Sequence, residues 1–341
     1  MKIGLIGYQG CGKSTLFEWL TGVAPDPAAV HASGQTAMAA IPDDRFDPLC
    51  EIYHPKKKTY AALEIVDTPG LARSHEGNAA RLGLIREAEC LVMVVPVFAG
   101  ADAARELESF QEDLLLGDMD IVSRRIERLQ ESIKKPRPNR DQEAAELAAL
   151  EPLLAALEQG QALVEVELNE EQRRATRSFR LLTQNPRLVV FNLSDNDVDL
   201  DRFAAVAGEQ PFLAAPVGLE LELAKMEPEE RAEFEQDLGL TTPGRDDFLR
   251  AMLKTSGQIL FFTAGEKEVR TWLLPSGGTA VDAAGNIHTD LARGFIRAEV
   301  MTSADLIRLG SERAIKAEGL MRQEHKDYPV KDGDVLLIRH N

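Results

Sequence analysis

The feature that most restricts the fold of this chain is a glycine-rich turn directly after its first apolar segment. Residues 2–6 read KIGLI, a short buried strand, and residues 7–14 read GYQGCGKS. The next residues place Leu16, Phe17 and Leu20 at helical spacing. This order of strand, turn and helix fits G-x-x-x-x-G-K-[ST], the phosphate-binding loop (P-loop) of nucleoside-triphosphate-binding proteins.

Each residue type in the turn suits a triphosphate. The glycines let backbone N–H groups curve around a phosphate without clashes from a Cβ atom, and the start of the helix adds a partial positive charge. Lys13 spans the β- and γ-phosphate oxygens, and the Ser14 hydroxyl ligates Mg²⁺. We predict that the nucleotide is bound by Gly7, Gly10, Cys11, Gly12, Lys13, Ser14 and Thr15.

A second part of the site is predicted at 66–70, which read VDTPG. Asp67 ends the apolar strand ALEIV, where its carboxylate would hold the Mg²⁺ shell through water. Gly70 offers a backbone N–H for sensing the γ-phosphate. The polar loop after it contains His75, which we interpret as a solvated loop residue rather than a nucleotide contact.

A base-recognition segment is predicted at 192–195, where NLSD follows the apolar strand LVVF. Asn192 and Asp195 match the ends of the N-K-x-D pattern, and Leu193 replaces its lysine. A carboxylate at Asp195 suits guanine, because adenine would leave it unpaired at a cost of about 1–3 kcal/mol. GTP is therefore slightly favoured, ATP stays possible, and a plain turn cap is the alternative.

The 341 residues are too many for one ordinary core, so two or three domains are expected. Apolar strand candidates lie at Ala61–Val66, Leu91–Val97 and Arg187–Phe191. Strands that alternate with helices form parallel sheets with helices on both faces. We predict a discontinuous α/β domain from residues 1–101 and 186–256.

Between these two parts, apolar residues recur at alternating steps of three and four, the seam of a coiled coil. Two such runs flank the turn KKPRPNR, whose prolines interrupt a helix. We predict an inserted antiparallel coiled-coil hairpin over residues 102–185. The alternative, that these residues are core of the main domain, is disfavoured because the opposite faces are densely charged. The seam residues are Met119, Val122, Ile126, Leu129 and Ile133, then Ala144, Leu147, Leu150, Leu154 and Leu157.

From residue 257 the composition changes to short strands separated by Gly turns: ILFFT, VRTWLL, GFIRAEV and DVLLIRH. One helix is predicted near Ser303–Leu309. This pattern indicates a small α+β domain over residues 257–341. We interpret His288 and its neighbours Thr289 and Asp290 as structural, since no nucleophile motif lies nearby.

The net charge of −17 argues against unspecific binding to nucleic acid or to acidic membranes. Residues 257–341 hold 11 Lys and Arg against 12 Asp and Glu, whereas the preceding residues hold 28 against 44. No apolar run reaches the ~18 residues of a membrane span, and no secretory signal is evident. Three cysteines without C-x-x-C spacing predict neither a disulfide framework nor a zinc site. We expect a cytoplasmic protein.

Longer segments resemble the YchF family, the Obg-related P-loop proteins also called Obg-like ATPases. The likeness extends from GKSTLF, IPDDRFDPL and LLLGDMDIVSRRIERL to FFTAGEKEVRTW, AAGNIHTD, GFIRAEV and YPVKDGDV near the end of the chain. The resemblance implies a G domain, an inserted coiled-coil domain and a carboxy-terminal TGS domain. It also implies weak nucleotide hydrolysis and nucleotide-dependent association with ribosomes or translation components.

The chain is similar to a divergent member of that family. The family's base motif usually ends in Glu with a preference for ATP, whereas this chain has Asp195. Its switch I segment is contracted, which leaves Thr36 as the candidate switch I ligand for Mg²⁺. Leu71 occupies the place where many GTPases have a water-positioning Gln, and a His-bearing insertion after the strand MVVPVF is missing.

Together these features predict a switch protein that binds GTP or ATP with Mg²⁺ and hydrolyses it slowly, with no catalytic residue identified. Expected partners are a purine nucleotide and a ribosomal or translation-associated partner bound through the coiled coil and TGS domain. Neither a membrane nor a specific DNA sequence is expected as a partner. The alternatives are an adaptor that binds nucleotide without significant hydrolysis, and an RNA-binding protein that acts through its TGS domain alone.

Overall fold

The computed structural model describes residues 1–98, 100–195, 201–238 and 242–341. These form two compact units, one of residues 1–37 and 64–245 and the other of residues 38–63 and 246–341. The predicted fold class is confirmed. The sequence-based boundaries of the G, coiled-coil and TGS domains stay a prediction.

The strands are named in chain order. They are β1 (Lys2–Ile6), β2 (Gln35–Ala40), β3 (Lys57–Thr59), β4 (Ala62–Asp67), β5 (Cys90–Pro96), β6 (Arg187–Asn192), β7 (Phe212–Ala215), β8 (Gln258–Ala264), β9 (Glu268–Pro275), β10 (Phe295–Thr302), β11 (Arg322–Glu324) and β12 (Asp334–His340).

The helices are named in the same way. They are α1 (Lys13–Thr21), α2 (Pro27–Ser33), α3 (Phe46–Tyr53), α4 (Asn78–Ile85), α5 (Ala103–Ser132), α6 (Arg140–Glu158), α7 (Glu170–Thr176), α8 (Asp201–Ala207), α9 (Val217–Leu223), α10 (Pro228–Leu238), α11 (Arg245–Thr255), α12 (Ala280–Ile287), α13 (Thr289–Arg293), α14 (Ser303–Leu309) and α15 (Glu312–Ala317).

One sheet has the described strands in the order β2-β4-β1-β5-β6-β7. From β4 to β7 the neighbouring strands are parallel. Every residue of β5 and β6 is buried, as expected for central strands with both faces covered. Carboxyl ends of parallel strands meet at one edge, where an open α/β sheet binds its ligand. The P-loop after β1, Asp67 at the end of β4 and Asn192 at the end of β6 therefore share this edge.

The two long helices α5 and α6 pack against each other over an apolar core, as the repeat in the sequence predicts. Val122, Ile126 and Leu129 of α5 are buried there. On α6 the buried residues are Leu150, Leu153 and Leu157, whereas Leu154 is only partly buried. The predicted seam residues Leu147 and Leu154 are partly buried and pack against this core, whereas the predicted Ala144 is exposed.

A buried ion pair fastens α4 to α5 and to the segment that returns from the insertion. The Arg86 guanidinium donates to Asp118 Oδ1 at 2.5 Å and to the carbonyls of Gly117 and Arg180. Asp118 is fully buried and also accepts hydrogen bonds from the backbone N–H groups of Leu182 and Thr183. The carboxylate is thus surrounded by donors, which a buried charge requires.

The second unit contains a sheet whose described strands run β11-β10-β12-β8-β9-β3. β8 and β9 are antiparallel, and so are β10 and β12. The predicted helix at Ser303–Leu309 is α14, but α12, α13 and α15 show that the expectation of one helix in this part was wrong. His288 caps α13 by accepting the Asp290 N–H at 3.2 Å, in line with a structural role.

Among the described helices, none combines the length and the apolar character needed to cross a lipid bilayer. Cys11, Cys50 and Cys90 are buried free thiols.

Candidate functional site

The P-loop keeps the conformation that its glycines permit. Gly7, Gly10 and Gly12 have φ angles of 150°, 78° and 101°, which side-chain-bearing residues rarely adopt. A Cβ atom at Gly7 would lie 2.7 Å from both the Cys11 Sγ and the Val94 carbonyl oxygen. The turn therefore needs glycine for space as well as for backbone angle.

The Lys13 side chain is buried within the loop. Its ammonium donates hydrogen bonds to the Tyr8 carbonyl at 2.9 Å and to the Gly7 carbonyl at 3.4 Å. It also lies 3.6 Å from the Cys11 Sγ. Burial raises the pKa of the Cys11 thiol, so a reactive thiolate is disfavoured at this position.

Ser14 and Asp67 form the donor set expected for Mg²⁺. The Ser14 hydroxyl donates to Asp67 Oδ2 at 2.6 Å. Asp67 is fully buried, and its Oδ1 has no hydrogen-bond partner among the described residues. Burial raises the pKa of this carboxyl, although Ser14 and Lys13 oppose the shift. An orphaned buried carboxylate oxygen beside a hydroxyl fits a hard cation that takes oxygen ligands.

The segment after Asp67 is tied to the P-loop by backbone hydrogen bonds. The Leu71 N–H donates to the Gly7 carbonyl at 3.1 Å, and the Gln9 N–H donates to the Leu71 carbonyl at 3.0 Å. A Cβ atom at Gly70 would lie 2.8 Å from the Lys13 ammonium, so Gly70 lies directly beside that charge. The Leu71 side chain is fully buried in the core.

A cavity of about 410 Å³, here the Asn192 cavity, opens beside the loop and helix α1. It brings together Thr15 and the predicted base-recognition residues Asn192, Leu193 and Asp195. Asp195 is exposed, whereas Leu193 is only 3% exposed and also belongs to the apolar core. Phe98 lines the cavity but was not predicted; its place just after β5 was the available signal. The lining residues are Gly10, Gly12, Thr15, Phe98, Asn192, Leu193, Ser194, Asp195 and Gly218.

The Asn192 carboxamide connects the loop to the segment after β7. Its Nδ2 donates to the Cys11 carbonyl at 3.1 Å, and its Oδ1 accepts from the Val217 N–H at 3.2 Å. Both ends of the amide are therefore bound to backbone. Asn192 thereby shapes the P-loop in addition to facing the Asn192 cavity.

A second cavity of about 270 Å³, here the Ser14 cavity, opens beside Ser14 and Gly70. Three of its polar residues were not predicted: Gln9, His31 and Arg81. Thr36, predicted as a metal ligand, lies at an exposed position of β2 and does not line this cavity. The lining residues are Gln9, Ser14, Pro25, Pro27, Val30, His31, Pro69, Gly70 and Arg81.

Polar contacts also join the P-loop and the segment after Gly70 to helix α5. The Tyr8 hydroxyl donates to Asp113 Oδ2 at 2.9 Å, and His75 Nδ1 lies 3.0 Å from Asp113 Oδ1. Arg73 donates to Glu106 at 2.6 Å, and its guanidinium lies 4.6 Å from the Tyr8 ring centroid. His75, an exposed loop residue as interpreted from the sequence, thus faces α5.

Clusters of three or more His, Cys, Asp or Glu side chains that would hold a metal do not occur in the part of the chain that the structure describes. A P-loop Mg²⁺ needs no such cluster, because the nucleotide phosphates supply several of its ligands. The Ser14 and Asp67 oxygens are the predicted metal donors that the structure brings together.

Comparison with known proteins agrees with this geometry. The family model described as "50S ribosome-binding GTPase" matches residues 2–124. The model YchF-GTPase_C, described as a protein of unknown function, matches residues 258–341. The chain is 37% identical over 362 residues to the ribosome-binding ATPase YchF of Escherichia coli O157:H7, with 100% of this chain and 99% of that relative covered.

This chain belongs to the YchF family.

Further relatives extend the family across distant organisms. The ribosome-binding ATPase YchF of Bacillus subtilis is 32% identical over 368 residues, with 100% and 99% coverage. Obg-like ATPase 1 of Oryza sativa subsp. japonica is 33% identical, with 100% of this chain and 92% of the relative covered. The solved structure of the Schizosaccharomyces pombe YchF GTPase superposes with a TM-score of 0.85 at 26% identity, covering 99% of this chain and 97% of that one. The resemblance found in the sequence is therefore confirmed over the whole length.

Proposed function

We propose that this YchF-family protein is a cytoplasmic, Mg²⁺-dependent purine-nucleotide switch that hydrolyses its nucleotide slowly and acts with ribosomes or translation components. The observation that carries the proposal is the arrangement of Lys13, Ser14 and Asp67. A buried ammonium, a partly buried hydroxyl and the buried carboxylate that accepts from it lie at the mouth of a glycine-rich turn that opens helix α1. Together they offer charge and ligands to a triphosphate bound with Mg²⁺.

The role of each residue follows from these contacts. The amides of the P-loop and the Lys13 ammonium would bind the phosphates, and the Ser14 hydroxyl and the Asp67 carboxylate would hold Mg²⁺, Asp67 through water. Gly70 lies beside the ammonium and offers a backbone N–H to the γ-phosphate. Loss of that phosphate releases the segment after Gly70, as in other nucleotide switches. When bound, Mg²⁺ offsets the charge of the phosphates.

The partner is proposed from the relatives. Two of them are named ribosome-binding ATPases, and the model that matches residues 2–124 describes a ribosome-binding GTPase. We assign the partner-binding surface to the hairpin of α5 and α6 and to the TGS-like residues 257–341. Contacts from Tyr8 to Asp113 and from Arg73 to Glu106 support this assignment, because they connect nucleotide-site segments to α5.

Base preference is proposed as slightly in favour of guanine, with Asp195 as the acceptor for the guanine N1–H and amine. The exposed position of this carboxylate on the Asn192 cavity supports that role. Phe98 and Leu193 line the same cavity and would provide apolar contact to either purine. Competition of unlabelled GTP and ATP against a fluorescent nucleotide tests the preference. A tenfold advantage for ATP, about 1.4 kcal/mol, would overturn it.

A nucleotide-binding adaptor without significant hydrolysis is the second candidate. It is favoured by the buried Leu71 at the place of the water-positioning Gln. Single-turnover hydrolysis by the purified protein separates the two: a rate equal to that of the buffer supports the adaptor. Co-sedimentation with ribosomes tests the switch, because Lys13→Ala should abolish the nucleotide dependence of binding. Unchanged association of that variant would support an RNA-binding role of the TGS-like part alone.

A further inference from the structure

The lining of the Ser14 cavity includes a cationic side chain, Arg81, that has no role in the proposed function above. None of the described residues lining it is an Asp or Glu, whereas Arg81 and His31 both reach it. It extends from Ser14 and Gly70, which face the metal and γ-phosphate positions, to Arg81 on helix α4. In a chain of net charge −17, a cavity with this lining has the donors that an anion requires and, among the described residues that line it, no carboxylate to repel it.

The Arg81 guanidinium is held in place from one side. Its Nη1 donates to the Glu76 carbonyl at 3.0 Å and to Asn78 Oδ1 at 3.1 Å. The turn at Gly77, with a φ angle of 72°, passes below it, and a Cβ atom there would lie 3.9 Å from the Arg81 Cζ. Nε and Nη2 have no hydrogen-bond partner among the described residues. Arginine offers five N–H donors, so donors stay available for a phosphate.

A continuous set of hydrogen bonds fixes this position relative to the P-loop. The Asn78 carboxamide accepts from the Ala72 N–H at 2.8 Å and donates to the Ala72 carbonyl at 2.9 Å. The adjacent Leu71 exchanges backbone hydrogen bonds with Gly7 and Gln9. Asn78 is buried. Arg81 is thus connected to the phosphate loop through Asn78 and a short backbone segment.

We propose that Arg81 is a catalytic residue for nucleotide hydrolysis, which donates to the γ-phosphoryl oxygens as the transition state forms. The inference rests on the proposed function. In the reaction the oxygen of a water molecule bonds to the γ-phosphorus, and the bond from that phosphorus to the β,γ-bridging oxygen breaks. Its electron pair leaves on the nucleoside diphosphate, and the water proton passes to solvent or to the released phosphate. Arg81 donates N–H groups to the phosphoryl oxygens and stabilises the charge that develops on them.

This role compensates for Leu71. A buried leucine cannot orient water, so the site lacks the side chain that many GTPases use after the D-x-x-G segment. An arginine from the same chain would instead stabilise the charge on the phosphoryl oxygens in the transition state. Sequence reasoning missed this residue, because Arg81 is eleven positions from Gly70 and reaches the cavity only after the turn at Gly77 forms.

The test uses the full chain with Mg²⁺ and compares the affinity for a nucleoside diphosphate with and without aluminium fluoride, which mimics the transferring phosphoryl group. Arg81→Gln can still donate to the Glu76 carbonyl, so it removes the charge while keeping the turn. Arg105→Ala, an exposed position on α5 outside the cavity, is the control. Single-turnover hydrolysis and thermal unfolding are measured on the same proteins.

We expect Arg81→Gln to bind the diphosphate within twofold of the unsubstituted protein but to lose the gain from aluminium fluoride. Its single-turnover rate should fall by about 100-fold or more, given that such arginines contribute about 10³–10⁵ in turnover. Arg81→Lys should recover part of the aluminium fluoride gain and part of the single-turnover rate. Arg105→Ala should change neither quantity.

Two results would overturn the assignment. One is that Arg81→Gln keeps the full gain from aluminium fluoride. The other is that diphosphate affinity and aluminium fluoride gain fall together, which identifies Arg81 as a structural cap of the turn. Failure of the unsubstituted protein to bind any diphosphate would instead contradict the proposed function itself.

Discussion

Replacing Gly12 by alanine should destabilise the protein for two reasons, an unfavourable backbone conformation and a steric clash. Its φ angle of 101° is unfavourable for an L-residue by about 1–2 kcal/mol. In addition, the new Cβ atom would overlap with the Asn192 carboxamide. Displacing that carboxamide breaks its hydrogen bonds to the Cys11 carbonyl and the Val217 N–H, at about 0.5–1.5 kcal/mol each. The sum is a loss of about 2–5 kcal/mol in the free energy of unfolding.

Gly10→Ala provides the matched control. Gly10 has a φ angle of 78°, but no atom lies within 4 Å of a Cβ built there. It should therefore show the backbone cost alone, and Gly12→Ala should lose about 1–3 kcal/mol more.

Urea unfolding followed by tryptophan fluorescence measures the difference. The chain has two tryptophans, so in a Trp272→Phe background the buried Trp19 on α1 reports on the unit that holds the P-loop. The effects of Gly12→Ala and Asn192→Ala should be less than additive, since both remove the same hydrogen bonds. Equal losses for the two glycine variants, or full additivity with Asn192→Ala, would show that the Gly12 substitution leaves the Asn192 hydrogen bonds intact.

Three further predictions concern buried or paired charges. Asp118→Asn leaves the Arg86 guanidinium, 12% exposed, without its counter-ion and should cost about 3–5 kcal/mol in urea unfolding; a loss below 1 kcal/mol would contradict the network described above. Asp67→Asn removes the carboxylate beside Ser14, so Mg²⁺ should no longer tighten nucleotide binding when calorimetric titrations with and without the metal are compared; retention of that dependence would exclude Asp67 from the metal shell. The hydrogen bond from Arg339 lowers the pKa of Glu299 below its ordinary value of 4.5, so its stabilisation is complete above that pH and is lost as pH falls through the lowered pKa. Glu299→Gln should thus destabilise the protein by about 0.5–1 kcal/mol at pH 7, with a smaller difference near pH 3; a pH-independent difference would show that the charge is irrelevant.

The local sequence pattern predicts the bounds of an element correctly where the residues of that element alone determine them. β1 and α14 have the predicted bounds, because an apolar run before glycine and an amphipathic stretch between capping residues define them without tertiary help. The sequence could not show which of Leu153 and Leu154 is the more buried. Both lie near the apolar face of α6, and the packing against α5 determines the burial of each. The strand β3 has the sequence KKT, whose charge gives no strand signal, and it pairs with β9 more than 200 residues later.

The site shows the same division. The positions of the P-loop and Asp67 at the ends of their strands were predictable, because these residues are contiguous in sequence with the apolar strands they follow. Phe98, Gln9 and Arg81 were missed because what matters is their position around a cavity formed by several segments. The two hydrogen bonds from the Asn192 carboxamide to backbone groups could not be predicted either, since Val217 lies 25 residues downstream.

The most direct test of the account is calorimetric titration of Mg²⁺-bound GTP and ATP into the protein and into Lys13→Ala. We expect saturable binding of at least one of the two nucleotides. Loss of the ammonium should weaken it by about 10- to 150-fold, since hydrogen bonds to charged groups are worth about 1.5–3 kcal/mol. Absence of binding heat for both nucleotides at millimolar concentration, or equal affinity of the two proteins, would contradict the claim that this loop holds a triphosphate.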